Sequence, residues 1–248
     1  MKIINTSLYP DSLPKNEFDN YLAKGWYRMT QNIFSVTHWF NYETIEVDRV
    51  WWLRYHIQNI QSHRSHRKIR KMNAEFDVEY EKYDEIPEED HLLYDRYYEW
   101  IQFDGYISLD RCLYGEKENK KIFNSWSISV LDQGKVIAKG IIDLGEKAIM
   151  AKVNFFDPDY AKYSPGKFIM LKSIDFLREK EFKWYYPGYV IVNRPKFDYK
   201  LFIGKESAEY YDPEIEKWKP YDDAILRPEI LTEDEKSLLE DVYFRFWR

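Results

Sequence analysis

From Phe123 to Val192 the chain spells three strand-length runs, one long helix and a further strand. The runs are "FNSWSISVL", "KVIAKGIIDL" and "AIMAKVNFF". Asp132-Gln133-Gly134 places a tight hairpin turn between the first two. "YSPGKFIMLKSIDFLREK" follows as a helix, with Ser164 as N-cap, Pro165 at the first helical position and Gly166 behind it. "YYPGYVIVN" then begins as a buried strand, is interrupted by Pro187-Gly188, and runs into the cationic "RPKFDYK". Upstream, "AEFDVEYE" alternates, with Ala74, Phe76, Val78 and Tyr80 inward and acids outward. A helix over 88–102 carries Leu92, Leu93, Tyr97 and Trp100. The order is strand, helix, three antiparallel strands, helix, strand. It predicts an α+β fold, a mixed sheet flanked by helices.

The ends are read more coarsely. Residues 15–24 suit a short helix closed by Gly25, and "GWYRMTQNIF" and "VDRVWWLRYHI" suit strands. In the second, Trp51, Leu53, Tyr55 and Ile57 alternate onto one side. "SHRSHRKIRKM" is a basic helix with Ser62 as N-cap. After Gly204 the chain turns polar and is dotted with prolines. It closes on a helix from Thr232, where Thr232 and Glu235 form a capping box. The expected division is 1–73, an N-terminal module with the basic helix; 74–204, the main domain; and 205–248, a C-terminal extension.

Composition bounds the chemistry. The chain has 248 residues, enough for a sizeable core. Aromatics make up 19%, so stiff rings can both fill that core and line a binding surface. The net charge of −6 does not favour a polyanion, so nucleic acid would need a local basic patch. One cysteine, Cys112, excludes an internal disulfide and any cysteine-rich metal site; it reads as a buried or loop thiol. No stretch is long enough for a membrane span, and no leader is evident, so a cytoplasmic protein is the default. His38, His56 and His91 carry no spacing argument and read as structural.

The element order is that of the acetyltransferase-like (GNAT) fold, and the N-terminal module could be a second, degenerate half of that kind. Fold order alone does not give function. Four segments say more. "YLAKGWYRMTQNIFSVTHW", "VWWLRYHIQNIQSHRSHRKIRK", "VNFFDPDYAKYSPGKFIMLKSIDFLREK" and "YYPGYVIVNRPKFDYKLF" follow one another along the chain. They resemble, in order, the "GWRR…F", "LR…SRSQRR", "YFFYDPDY…LG" and "YLGYYI…CPKMxYKxxF" segments of the arginyl-tRNA–protein transferases and the related bacterial leucyl-transferases. The resemblance runs from about Tyr21 to Ile203. The family's cysteines are missing: Arg194 stands at the Cys of "CPKM" and Phe197 at its Met, and His38 and Trp51 lie near two others. No metal or iron–sulfur cluster is therefore expected.

The resemblance implies aminoacyl transfer, in which the α-amino group of a protein's first residue attacks the ester of a charged tRNA. The implied partners are charged tRNA and a protein or peptide with an acidic N-terminus, with no cofactor, no membrane, and a monomeric enzyme. The donor ester is already activated, so positioning, proton removal and oxyanion stabilisation are what the protein must supply. Arg64, Arg67, Lys68 and Lys71 fall on one helix face and suit an RNA backbone or a substrate carboxylate; alone they would read as a solvated face. Ser164 and Gly166 open a helix whose amides could hold an anion, or they simply cap it. Arg194, Lys196 and Lys200 are expected to rim a cleft opened by Pro187-Gly188, with Arg194 helping to select the ligand. Tyr199 is the candidate for positioning the ester or relaying its proton, and Tyr189 for stacking on the terminal adenine. Asp157 is a candidate general base or ammonium holder, or else only a turn. Trp26 and Arg28 would wall the pocket for the acceptor, unless Trp26 is core. Two rivals stand beside this reading: an acyl-CoA-dependent N-acyltransferase, weakened by the single glycine in "YSPGKF", and a non-catalytic reader of RNA or N-termini.

Overall fold

The computed structural model describes residues 2–41, 46–101, 105–115, 120–228 and 232–244. In chain order the elements are β1 (Asn5–Leu8), α1 (Lys15–Ala23), β2 (Tyr27–Arg28), β3 (Ile33–Val36), β4 (His38–Asn41), β5 (Glu46–His56), α2 (Arg64–Met72) and β6 (Asp77–Lys82). There follow α3 (Glu88–Ile101), α4 (Leu109–Leu113), β7 (Ser125–Asp132), β8 (Lys135–Leu144), β9 (Ala148–Phe156), α5 (Pro165–Glu179) and β10 (Trp184–Ile191). Then come β11 (Ala208–Asp212), β12 (Lys217–Pro220) and α6 (Glu233–Phe244).

The expected run of strand, helix, three strands, helix, strand is present as β6, α3, β7–β9, α5, β10. These strands belong to a large mixed sheet in the order β12-β11-β5-β10-β9-β8-β7-β6, with β4 paired to β5; a small sheet, β1-β3-β2, stands apart. Within the large sheet β9 and β10 run parallel and the remaining pairs antiparallel. Gln133 (φ 49°) and Gly134 (φ 82°) both take left-handed backbone, the conformation a two-residue hairpin requires. The sheet crosses both boundaries drawn from the sequence, since β5 comes from 1–73 and β11 and β12 from 205–248. Its edges are charged: Asp77, Glu79 and Glu81 alternate outward along β6, and β12 reads Lys-Trp-Lys-Pro. Such edges discourage further strand pairing.

α5 lies on one face, burying Phe168, Ile169, Leu171, Ile174 and Leu177 against Ile128, Val130 and Ile142. α3 and α4 cover the other face through Leu93, Tyr94, Leu109 and Leu113, against Ile141 and Phe155. β5 is buried on both sides. Leu53 and Tyr55 join the α5 core, and Val50 and Trp52 face Phe18 and Leu22 of α1. The one-sided alternation expected for β5 is thus only half of its pattern.

Other expectations are corrected. The basic helix begins after His63, not Ser62, and Ala74 is exposed because β6 starts only at Asp77. "GWYRMTQNIF" is not one strand but the short pair β2 and β3. On α3 Leu92 and Trp100 are exposed, and the helix's expected last residue, Gln102, lies outside the described residues. The capping box at the last helix forms: the Glu235 N–H donates to Thr232 Oγ1 (3.3 Å) and the Thr232 N–H to Glu235 Oε2 (3.0 Å).

Two buried ion pairs tie the layers together. Lys139 of β8 meets Asp90 of α3 at 2.7 Å, and the Tyr83 hydroxyl donates to the same carboxylate. Arg28 meets Asp143 at 2.7 Å and also donates to the carbonyls of Thr30 and Leu113 and to Ser125 Oγ. Removing one partner of such a pair strands a buried charge. Arg28→Ala is therefore expected to cost about 3–5 kcal/mol of stability in urea unfolding. A loss under about 1 kcal/mol would mean that Asp143 is served by something other than Arg28.

Candidate functional site

β9 and β10 pair only at Trp184–Ala148, Tyr185–Ile149 and Tyr186–Met150. Beyond that the next residues of β10 are Pro187, which has no N–H to give, and Gly188, at φ +110°. The ladder to β5 shifts register between Tyr185 and Gly188, so β10 bulges there. The second half of β9 and residues 187–189 line opposite sides of a cleft. Gly188 has a second reason to be glycine: a Cβ would lie 2.9 Å from Lys200 Cε, which crosses the strand at that point.

The cleft has two lobes. The first, about 330 Å³, is walled by aromatic rings, among them Tyr27, Trp52, Tyr94, Tyr106 and Tyr189, with Lys152 and Cys112 also lining it. The second, about 600 Å³, is bounded by Phe156, by Ser164, Gly166 and Lys167 at the start of α5, and by Lys196. Tyr97, Ile101, Asn154, Phe197, Tyr199 and Lys200 line both.

Lys200 is the centre of this shared wall. It sits in a 3-10 turn, Pro195–Ile203, and is 7% exposed. Its Nζ lies 4.5, 4.8 and 5.4 Å from the ring centroids of Tyr199, Phe197 and Tyr189. Among the described residues no carboxylate lies within ion-pair distance of it. Burial pulls its pKa down to about 7, with nearby Asp198 opposing. Tyr199 is 46% exposed, yet its dense surround, and then Tyr189, push its hydroxyl up to about 12, so it stays protonated at neutral pH.

The other expected residues divide. Tyr189, Ser164, Gly166 and Lys196 line the cleft as anticipated. A side chain at Gly166 would meet open space, so the helix start is accessible. Ser164 precedes the helix in left-handed backbone (φ 54°), and its side chain makes no cap; its carbonyl accepts from the Lys167 and Phe168 N–H groups instead. Arg64, Arg67, Lys68 and Lys71 are exposed on α2, whose inner face buries His66 and Ile69.

Four placements differ from expectation. Arg194 does not line either lobe; its guanidinium reaches Asp48 and Glu46, each at 2.8 Å, and covers the Trp39 ring. Asp157 is buried, capping the 3-10 turn Pro158–Tyr163 and pairing with Arg96 (2.8 Å) and Lys135 (3.2 Å). Burial raises its pKa, but the Asp159 N–H, Lys135 and Arg96 outweigh that and hold it below the usual range, which does not suit a base facing the cleft. Arg28 does line the first lobe, but its donors are consumed by Asp143 and backbone carbonyls. Trp26 is half-buried against Tyr21 and lines neither lobe.

Lys152, Asn154, Lys167 and Tyr97 were missed as site residues. Lys152 and Asn154 did leave a signal: two polar residues at i and i+2 inside the apolar run "AIMAKVNFF". Among the described residues no group of three or more His, Cys, Asp or Glu side chains could hold a metal, and no helix is long and apolar enough to cross a membrane.

Residues 89–208 match the family model described as "Arginine-tRNA-protein transferase, C terminus". Of the four segments that carry the resemblance, the third and fourth lie within this match. The chain is 30% identical over 113 residues to "Arginyl-tRNA--protein transferase 1" of Saccharomyces cerevisiae, covering 45% of this chain and 22% of that protein. It is 32% identical over 79 residues to "Aspartate/glutamate leucyltransferase" of Leptospira interrogans, covering 32% and 31%. The chain thus spans under a third of the length of these curated relatives. The solved structure of L-PGS from Bacillus licheniformis is similar at TM-score 0.42 and 10% identity, over 74% of this chain and 52% of that one, a likeness too slight to decide anything.

An amine with a pKa near 7 is nucleophilic where surface lysines are not. In pulse labelling with acetic anhydride across pH 5–10, Lys200 is expected to react with a midpoint about 7, read by peptide mass spectrometry. A midpoint near 10, shared with the exposed lysines, would show that its ammonium is not penalised by burial.

Proposed function

We propose that the chain transfers an amino acid from charged tRNA to the α-amino group of an acidic protein N-terminus, on an acetyltransferase-like (GNAT) scaffold. The observation that carries this reading is the two-lobed cleft, whose lobes share Lys200 and Tyr199, within the segment that matches the family. Two substrates that exchange an acyl group need adjoining chambers with the proton-handling groups in the common wall. The parting of parallel β9 and β10 supports the GNAT assignment. The names of the relatives offer arginine and leucine as donors.

In this reading the acceptor nitrogen attacks the ester carbonyl carbon, the bond from that carbon to the tRNA 3′ oxygen breaks, the second proton the nitrogen loses passes to that oxygen so that it leaves as a hydroxyl, and a peptide bond forms. The attacking amine must first lose a proton, and its unperturbed pKa is about 8. Lys200, largely neutral just above pH 7, takes that proton. Tyr199 keeps its proton and donates a hydrogen bond to the carbonyl oxygen on which charge develops. Gly166, in the first turn of α5, lines the second lobe, and its N–H has no partner within the helix.

The second lobe suits the tRNA end. Lys167 stands 5.2 Å from the Phe202 ring, and Phe202 packs on His66 of α2 and accepts a hydrogen bond from it at its carbonyl. A cationic surface therefore continues from Arg64, Arg67, Lys68 and Lys71 to Lys167 and Lys196.

Incubation with charged total tRNA and peptides beginning with Asp, Glu or Ala, read by mass spectrometry, is expected to show one amino-acid residue added to the acidic peptides. Lys200→Met should lower that turnover by about 100-fold or more, the usual scale of general-base catalysis. No added mass with any charged tRNA would overturn the reading; a mass added from acetyl-CoA instead would assign the chain to the acyl-CoA-dependent class.

The α2 face has its own test. Arg64→Ala with Arg67→Ala should weaken tRNA binding and flatten its dependence on salt, because fewer counterions are released. A slope identical to that of the unaltered protein would return these residues to a solvated face.

A further inference from the structure

We propose that Lys152 makes the first lobe a carboxylate-binding chamber, selecting an acceptor whose first side chain is acidic. The proposal rests on the reading that this lobe takes the acceptor.

Lys152 lies on β9 two residues from Met150 and two from Asn154, and all three line the first lobe. It is half-buried. Its Nζ donates to the Met29 carbonyl and lies 5.3 Å from the Tyr106 ring centroid, with the Cys112 thiol as a hydrogen-bonding neighbour. None of these is a carboxylate. Among the described residues lining the lobe there is no Asp or Glu, and no carboxylate pairs with Lys152. Arg28, the guanidinium in the same lobe, is already paired with Asp143. Among the described residues the chamber therefore holds an ammonium group with no carboxylate partner, among aromatic walls. Burial lowers its pKa, with Cys112 and Asp143 opposing and Arg28 adding to the fall. A carboxylate entering the lobe supplies the missing partner. An amide of the same shape does not, and a cationic side chain is repelled. Lys200 lines the same lobe, so one residue can present its α-amine to Lys200 and its side chain to Lys152.

The carboxylate could come from the acceptor peptide or from an acidic aminoacyl donor, and two arms separate them. In the first, the full chain without tRNA is titrated with peptides dye-labelled at the C-terminus and beginning with Asp or Asn, read by anisotropy. The unaltered protein is expected to hold the Asp peptide about 10-fold tighter or more, the scale of a charge-assisted hydrogen bond. Lys152→Met should erase that preference and Lys152→Arg should keep it. In the second arm, aspartyl-tRNA and leucyl-tRNA should bind alike, with or without the Lys152→Met change. Equal binding of Asp and Asn peptides by the unaltered protein overturns the proposal, as does a preference that survives in Lys152→Met. A Lys152-dependent preference for aspartyl-tRNA alone assigns the carboxylate to the donor and overturns it too. Because the readout is binding, failure of amino-acid transfer would overturn the functional reading and leave this result standing.

Discussion

The parallel ladder between β9 and β10 ends after three residue pairs, and the site depends on that ending. Had it continued, Ala151 to Phe156, already paired with β8, would have been paired with β10 as well, and the space they line would be sheet. Pro187 and Gly188 stop it in different ways. One lacks a donor, and the other adopts backbone that a side chain would strain. The same Gly188 leaves the path by which the Lys200 side chain crosses the strand and reaches the shared wall. One bulge therefore both opens the cleft and delivers its central amine.

The cations are sorted by what they meet. Arg28, Lys139 and Arg194 each found carboxylates and serve as struts. Among the described residues Lys152 and Lys200 meet carbonyl, thiol and ring neighbours and no paired carboxylate. The distinction is one of electrostatic compensation, and composition cannot reveal it. "RPKFDYK" places Arg194, Lys196 and Lys200 within seven residues, but the chain bends so that the first faces Asp48 and the last faces the cleft.

That sorting marks how far the sequence could be read. The order from β6 to β10 was legible because its elements carry their own signals: alternation in β6, strand-length runs in β7 to β9, Pro165 at the start of α5, and Gln133-Gly134 in the hairpin. The role of Pro187-Gly188 was legible for the same reason, since both residues act on the backbone locally. β1, β11 and β12 were not, because such short strands at or next to a sheet edge are held by their neighbours rather than by their own pattern. Arg194 and Asp157 were misassigned because their partners, Asp48 and Arg96, are distant in sequence and nothing local announces them. Lys152 and Asn154 sat in plain view as polar breaks in an apolar strand.

The position of β5 has a consequence for the birth of the protein on the ribosome. This strand, made early, sits between β10 and β11, which are made late. At about 5–20 residues per second, roughly 7–27 s separate the emergence of its end at His56 from that of Ile191. Through that interval Trp51, Trp52, Leu53 and Tyr55 lack the flanking strands they end up with. A nascent chain carrying two adjacent tryptophans in such a state is a natural client for a holding chaperone, and a truncated transcript would leave the same surface permanently open.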